Sequence, residues 1–240
     1  MKSEWFKSWF GEEYLALYPH RDSAEAESAI ALIERTVAGA RIARVLDLAC
    51  GAGRHAEVLA RRWWTAGLDL SEVLLRLAKE NHVDAHFVRG DMRVLPFRDG
   101  AFDLVVNLFT SFGYFQEDAS HVKVVDEVAR VTASGGVFVL DFLNTGQLRR
   151  MLVPYDERHF GGQIVEQRRE ISDDGRFVLK RISVRGTEKE FTERVRLFEE
   201  GDLRRMLDAS GFKVTSAFGN YDASPLGLDS PRVILFGTKR

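Results

Sequence analysis

Only one of the 240 residues is a cysteine, Cys50, so no internal disulfide forms and a reducing compartment fits. No apolar run approaches the ~20 residues of a membrane span. The N-terminus, Met1-Lys2-Ser3-Glu4-Trp5-Phe6, has aromatics but no apolar core of a signal peptide. Neither charge sign dominates: the net charge is −2, which gives no electrostatic case for nucleic acid or an anionic membrane. No Cys/His spacing suggests a metal site, and no repeat or low-complexity segment is visible. These absences predict a cytoplasmic protein that takes no metal and makes no membrane contact. Hydrophobic residues make up 45% of the chain, enough for a core of one α/β domain.

The pattern alternates from Arg41 onward. Strands are predicted at Val45–Leu48, Thr65–Leu70, Ala85–Arg89 and Phe102–Phe109, with helices over 54–61, 72–80 (capped by Ser71) and 120–132. Ser134-Gly135-Gly136 reads as a turn into a strand at Val137–Phe142. Strands alternating with helices imply βαβ units and a mostly parallel sheet with helices on both faces. After Asn144 comes a short helix, 146–152. Segments Gln163–Ser172, Phe177–Arg185 and Glu190–Phe198 then read as an antiparallel insertion of two or three strands, with Asp173-Asp174-Gly175 as a hairpin turn. The core resumes with a helix over 199–210, a strand at Lys213–Phe218, a long loop Gly219–Pro231 and a last strand, Arg232–Gly237. Before the core, Phe6, Trp9, Phe10 and Leu17 fall at near-helical spacing, and 23–38 reads as a helix begun by Ser23. The expected organisation is an N-terminal helical lid (1–40), a core (41–145 and 199–240) and a β insertion (146–198).

Arg44–Ala56 carries the chemistry. An apolar strand runs into Gly51-Ala52-Gly53, and a helix begins at once. The first glycine takes angles closed to other residues, the second lets the chain approach a bound group, and the helix offers unpaired N–H donors. Alone, this turn also fits the dinucleotide fingerprint, so a nicotinamide cofactor stays open at this point. Asp69, at the end of the next strand, can take both ribose hydroxyls of any adenosine cofactor. Three features separate the readings. Asp47 stands four residues before Gly51, where a dehydrogenase turn needs no acid. About forty residues precede the first strand, enough for a lid. Gly90-Asp91-Met92 follows the third strand at the same sheet edge, where Asp91 can accept from an adenine amino group and the Met92 N–H can donate to a ring nitrogen.

On these residues the chain resembles the class I S-adenosylmethionine (SAM)-dependent methyltransferases. Val45–Gly53 resembles the family's first motif, Gly67-Leu68-Asp69-Leu70-Ser71 its second-strand acid and Gly90-Asp91-Met92 its adenine loop. Phe102–Asn107 resembles its fourth strand and Val131–Gly136 the turn before its fifth. The resemblance covers roughly 41–145 and, more loosely, 199–240. It implies a Rossmann-like seven-stranded sheet with helices on both faces, and SAM as cofactor. It implies cofactor contacts from Tyr14, Asp47, Ala49, Gly51, Gly53, Asp69, Leu70, Asp91, Met92, Asn107 and Leu108, the last two beside Phe109. A narrower similarity joins Phe109-Thr110-Ser111-Phe112-Gly113-Tyr114, the antiparallel insertion and Tyr14 and Tyr18 to small-molecule N-methyltransferases acting on deoxyamino sugars and, more distantly, on glycine.

Methyl transfer from a sulfonium is an in-line displacement, so the protein has mainly to orient and dry the site. No nucleophilic side chain is needed, and a base only if the acceptor arrives protonated. The resemblance puts Tyr114 where the related enzymes present a polar side chain to the acceptor, and His159 near the start of the insertion is the second acceptor-side candidate. Tyr114 reads equally as an aromatic lid residue. His20, His55 and His121 are further polar candidates, and Cys50 reads as a small buried filler. In the insertion Arg168, Arg169, Lys180, Arg181, Arg185, Arg194 and Arg196 interleave with Glu166, Glu170, Glu188, Glu190 and Glu193. That mixture fits a solvated sheet face, a homodimer contact or a cover for the acceptor, not an RNA surface. The expected activity is methylation of a small molecule at nitrogen or oxygen. An RNA or protein acceptor, a SAM-binding regulator without catalysis, and a nicotinamide-dependent oxidoreductase are the alternatives.

Overall fold

The computed structural model describes residues 4–17, 23–81, 84–160 and 162–240. Two short helices, α1 (Phe6–Trp9) and α2 (Glu12–Leu17), precede α3 (Ser23–Thr36). The alternating part is β1 (Arg44–Leu48), α4 (Arg54–Ala60), β2 (Trp64–Asp69), α5 (Glu72–Asn81), β3 (Ala85–Arg89), β4 (Phe102–Asn107), α6 (Asp118–Val131) and β5 (Thr132–Leu143). After α7 (Thr145–Met151) come β6 (Tyr155–Phe160), β7 (Gln163–Ile171), β8 (Phe177–Val184) and β9 (Glu190–Arg196). Helix α8 (Glu200–Ala209), β10 (Phe212–Phe218) and β11 (Arg232–Lys239) complete the chain.

Seven strands form one sheet in the order β10-β11-β5-β4-β1-β2-β3. The neighbours from β3 to β5 pair in parallel, and β11 runs antiparallel to both β5 and β10. Burial on both faces explains the continuous apolar runs of β1, β4 and β5. Their side chains still alternate between two cores. Val45, Leu104, Val106, Val139 and Ile234 pack with Ile30, Ile33, Val58 and Leu59 of α3 and α4. Leu46, Leu48, Val105, Leu140 and Leu235 pack on the other face with Val124 and Val128 of α6 and Leu203 and Leu207 of α8. The period of two along each strand thus feeds a helix layer on either side.

From β1 the chain steps outward through β2 to β3, then crosses back to β4 on the other flank of β1. The crevice at that reversal, outside the carboxyl ends of the strands, is where such sheets hold ligands. The Gly51 turn leaves β1 at this point.

Two expectations need correction. Ser134-Gly135-Gly136 is not a turn ahead of the strand. β5 already pairs with β4 at Thr132, and the register then slips, with Phe102 facing Thr132 and Leu104 facing Val137. A Cβ on Gly136 would lie 2.8 Å from the Ala133 carbonyl oxygen and 2.9 Å from that of Asp103, so the glycine permits a bulge rather than a turn. The insertion has four strands, in the order β6-β7-β8-β9, not two or three. The additional strand, β6, reads Tyr-Asp-Glu-Arg-His-Phe and carries charge instead of an apolar alternation, as an exposed edge strand does. The Asp173-Asp174-Gly175 hairpin is present, with Gly175 at φ +69° and its N–H donating to Ser172 O at 2.7 Å.

Helices α1 and α2 pack between α5 and the insertion sheet. Trp9, Tyr14 and Leu17 share a cluster with Leu74 of α5 and Val165, Ile182 and Val184 of the insertion. Trp9 Nε1 donates to Glu193 on β9 at 2.8 Å.

Candidate cofactor and acceptor site

The site starts with backbone geometry at the end of β1. Ala49, Gly51 and Gly53 have φ of +61°, +56° and +83°. A Cβ on Gly51 would meet only Leu74 Cδ1, at 3.9 Å, so its open side faces space rather than protein. The turn is tied to the next strand by Asp69. One carboxylate oxygen accepts from the Gly51 N–H and the other from the Ser71 N–H, each at 2.8 Å. Ser71 caps α5 by accepting from the Leu74 N–H at 3.2 Å. Asp69 therefore fixes the ends of β1 and β2 against each other, and each of its oxygens retains acceptor capacity for a further donor. Burial lifts its carboxyl above the ordinary carboxylate range, opposed by the N–H groups of Ser71, Gly51 and Leu70.

Beneath this turn lies Asp47, only 1% exposed. Its Oδ2 is buried without a hydrogen-bond partner among the described residues. Burial first, and the Asp69 carboxylate second, push it up to about 7, against the pull of Arg54 and the Ala56 N–H. Burial likewise pushes the Cys50 thiol well up, which leaves it an inert filler.

These elements border a cavity of about 500 Å³. Its floor is the turn from Ala49 to Ala52. One end holds Asp69, Leu70, Asp91 and Met92, and the other holds Leu108, Phe109 and Ser111. The roof is aromatic, with Phe6, Phe10 and Tyr14 from the N-terminal segment, and Tyr114 and Phe115. Tyr114 stacks with Phe6 and Phe10, ring centroids 6.3 and 5.7 Å apart, and meets Trp5 edge-on at 5.0 Å. The roof is pinned at two points: Ser71 Oγ donates to the Phe10 carbonyl at 2.5 Å, and Arg93 bridges Glu4 at 2.6 Å to Asp91 at 2.5 Å.

The sequence-predicted residues divide. Tyr14, Ala49, Gly51, Asp69, Leu70, Asp91, Met92, Leu108 and Tyr114 all border the cavity. Asp47, Gly53, Asn107 and His159 do not. Asp47 and Asn107 are 1% exposed and support the turn from below, with Asn107 Nδ2 donating to the Leu48 carbonyl at 2.9 Å. Gly53 supplies the left-handed residue that starts α4. His159 is exposed on the edge strand β6, opposite Ile164, and no residue of the insertion borders the cavity. The insertion supports the roof from behind, through Trp9, instead of covering an acceptor. Asp91 is at the wall, but its carboxylate is already engaged by the Arg93 guanidinium and the Arg93 N–H. His121 is wholly buried; it accepts from the Phe115 N–H at 3.3 Å, and burial pushes it down to about 4. His55, one of the polar candidates, is 7% exposed and borders the cavity. Tyr18 and His20 lie outside the described residues.

Sequence reasoning missed Arg54, Ser111 and Phe115 in the wall, and the shape of the β4 end. Phe109 and Thr110 both have left-handed backbones, φ +59° and +60°. No glycine or asparagine marks them, so no local signal was available.

The cavity suits SAM on several counts. The Gly51 side is open, Asp69 has acceptor capacity at the mouth of β2, Leu70 and Met92 make an apolar slot, and aromatic faces suit a sulfonium cation. Among the described residues no group of acids, histidines and cysteines is placed to hold a metal ion. No helix among them is long and apolar enough to cross a membrane.

Comparison with known proteins agrees with this geometry. A family model described as a methyltransferase domain matches residues 45–136. The chain is 39% identical over 99 residues to a dTDP-3-amino-3,4,6-trideoxy-alpha-D-glucopyranose N,N-dimethyltransferase from Streptomyces venezuelae, covering 40% of this chain and 41% of that protein. It is 27% identical over 238 residues to a malonyl-(acyl-carrier protein) O-methyltransferase from Geobacter sulfurreducens, covering 90% of this chain and 85% of that protein. Of the relatives matched above 30% identity, the chain spans about two fifths of the length. Among solved structures, the CcbJ methyltransferase from Streptomyces caelestis superposes with a TM-score of 0.82 at 17% identity, covering 97% of this chain and 98% of that one. A SAM-bound amino pentose methyltransferase from Micromonospora echinaspora gives 0.72 at 24% identity, covering 95% and 97%. At these identities the likeness shows the fold, a Rossmann-like methyltransferase fold.

Proposed function

We propose that this chain, in which residues 45–136 match a family model described as a methyltransferase domain, transfers a methyl group from SAM to the nitrogen or oxygen of a small molecule. The observation that carries the choice of acceptor is the aromatic roof. Phe6, Phe10, Tyr14, Tyr114 and Phe115 close over the cavity, where a polymer would need an open groove. The relatives' names point the same way, since they include an N-methyltransferase of an amino sugar and an O-methyltransferase of a fatty acid.

When bound, SAM supplies an electrophilic methyl on its sulfonium. The chain does the rest. Asp69 accepts from the ribose hydroxyls, Leu70 and Met92 flank the adenine, and the Met92 N–H donates to a ring nitrogen. Arg93 holds the Asp91 carboxylate, so that acid acts on the adenine end through whatever acceptor capacity Arg93 leaves it. The aromatic roof excludes water and holds the acceptor in line with the methyl, where effective molarities reach ~10⁵–10⁸ M. An amine that arrives neutral attacks without help and loses its proton to solvent afterwards, so no general base is needed. Tyr114, packed ring against ring with Phe6 and Phe10, serves the roof and not the proton transfer. The reading includes a lid over the core from α1 and α2 only, since α3, expected within a lid of 1–40, packs in the helix layer of the core. It also includes a reducing cytoplasmic setting supported by the single cysteine, and a homodimer through 146–198. The exposed Met151, Val153 and Tyr155, running from the end of α7 into β6, support the dimer.

The test supplies methyl-labelled SAM and a cell extract split into dialysable and retained fractions. Label appearing in a dialysable product supports the reading. Label only in retained RNA or protein, or no transfer at all, refutes it.

A further inference from the structure

The left-handed pair at the end of β4 has no glycine to make it easy, and Phe109 borders the cavity. Strain of that kind persists only where the surroundings over-determine it, and it clusters where a site has to be held in shape. Here the surroundings centre on one buried carboxylate, and Arg232 also donates to Thr110 Oγ1 at 3.5 Å. Asp141, on β5, is 0% exposed. Its Oδ2 accepts from the Phe109 N–H at 2.8 Å, and its backbone carbonyl accepts from the Thr110 N–H at 3.1 Å. One residue thus satisfies both strained amides. Its charge is balanced by Arg232, reaching across from β11 with two N–H donors at 2.5 and 2.9 Å. Tyr221, from the loop between β10 and β11, donates its hydroxyl to the same Oδ2 at 2.5 Å. Burial and the Asp141 carboxylate hold that phenol well above its ordinary range, so it remains a donor. Two guanidiniums lie over the Phe109 ring: Arg232 is 5.3 Å from its centroid and Arg54, rising from the glycine turn, 4.8 Å.

Taking the cavity as the SAM site proposed above, we infer that Asp141, held by Arg232 and Tyr221, is a positioning residue for cofactor binding. It locks Phe109–Thr110 in the left-handed form and so sets the cavity wall that the cofactor meets. Asp141, Arg232 and Tyr221 do not border the cavity and touch no reactant. They come from β5, β11 and a distant loop, beyond the reach of the cofactor motifs.

The probe is S-adenosylhomocysteine, titrated calorimetrically into the intact chain. Asp141→Asn keeps an acceptor for the Phe109 amide but loses the charge that holds Arg232, and it lowers affinity about tenfold. Tyr221→Phe removes one donor and lowers it about two- to threefold. The decisive variant adds Thr110→Gly, at a residue that does not border the cavity. A glycine adopts the left-handed form unaided, so it raises affinity more in Asp141→Asn than in the wild type. A purely structural role for Asp141 would leave that rescue absent. The inference fails if folded Asp141→Asn binds the probe as the wild type does, or if Thr110→Gly gives no greater gain in it. Should Asp141→Asn not fold, the same pair of measurements on Tyr221→Phe, with and without Thr110→Gly, decides. Wild-type binding of the probe with no methylated product would count against the proposed function and leave this inference standing.

Discussion

Asp69 shows how one side chain holds a turn and keeps capacity for a ligand. Asp69→Ala removes an acceptor from two partly buried N–H groups and costs about 1–3 kcal/mol of stability. The variant still folds, because the sheet around it keeps its pairing, but binding of SAM is lost; calorimetry and a thermal melt on one sample check both. Asp47 titrates in the opposite direction from most carboxylates. Its folded pKa of about 7 stands above the ordinary 3.8, so the native state holds the proton more tightly than the unfolded chain does. Its contribution therefore makes stability fall as pH rises from about 4 to 7, by roughly 2–4 kcal/mol, and level off above. Asp47→Asn removes that slope, which urea unfolding at a series of pH values measures. Asp47, Asp69 and the glycines were legible in the sequence because they sit within a few positions of one strand end. What Asp47 does was not legible: a carboxylate beneath the turn and one facing the cavity look alike until burial is known. Phe109 was read as the last residue of a strand, yet its left-handed backbone depends on Asp141, 32 residues away.

The elements nearest the site work in pairs that local pattern does not reveal. β2 packs so tightly between β1 and β3 that a Cβ on Gly67 would lie 2.8 Å from Cys50 Sγ and from Phe87 Cδ1. Gly67→Val overfills that space at about 1–3 kcal/mol, a drop of about 2–12 °C in melting temperature for a chain of this size. The N-terminal helices depend on Arg93, which joins Glu4 to Asp91 in a partly buried pair. Arg93→Ala loosens the roof and speeds dissociation of S-adenosylhomocysteine roughly five- to tenfold, read by stopped-flow tryptophan fluorescence from Trp5 and Trp9. The βαβ strands and helices could be read from periodicity, since each buries a regular stripe. β6 could not, because an edge strand is written in charges. The Gly136 bulge looked like a turn for a similar reason: glycine marks both, and only the register of the neighbouring strand tells them apart.

A parallel sheet reverses its strand order between β1 and β4, and everything proposed to touch the cofactor hangs from the carboxyl ends of β1 to β4 or from the helices roofing them. The sequence motifs covered that stretch because they are local. They did not cover Glu193 on β9, which supports the roof, or Asp141 on β5 and Arg232 on β11, which support the wall at Phe109; these converge only on folding. The central claim is that this crevice holds SAM and not a nicotinamide dinucleotide, which the glycine turn alone would accept. Thermal unfolding of one preparation, alone, with saturating SAM and with saturating NAD, tests it most directly. At one hundred times the dissociation constant, SAM adds about 2.7 kcal/mol and raises the melting temperature by about 5–10 °C, while NAD leaves it unchanged. A rise with NAD and none with SAM would contradict the account.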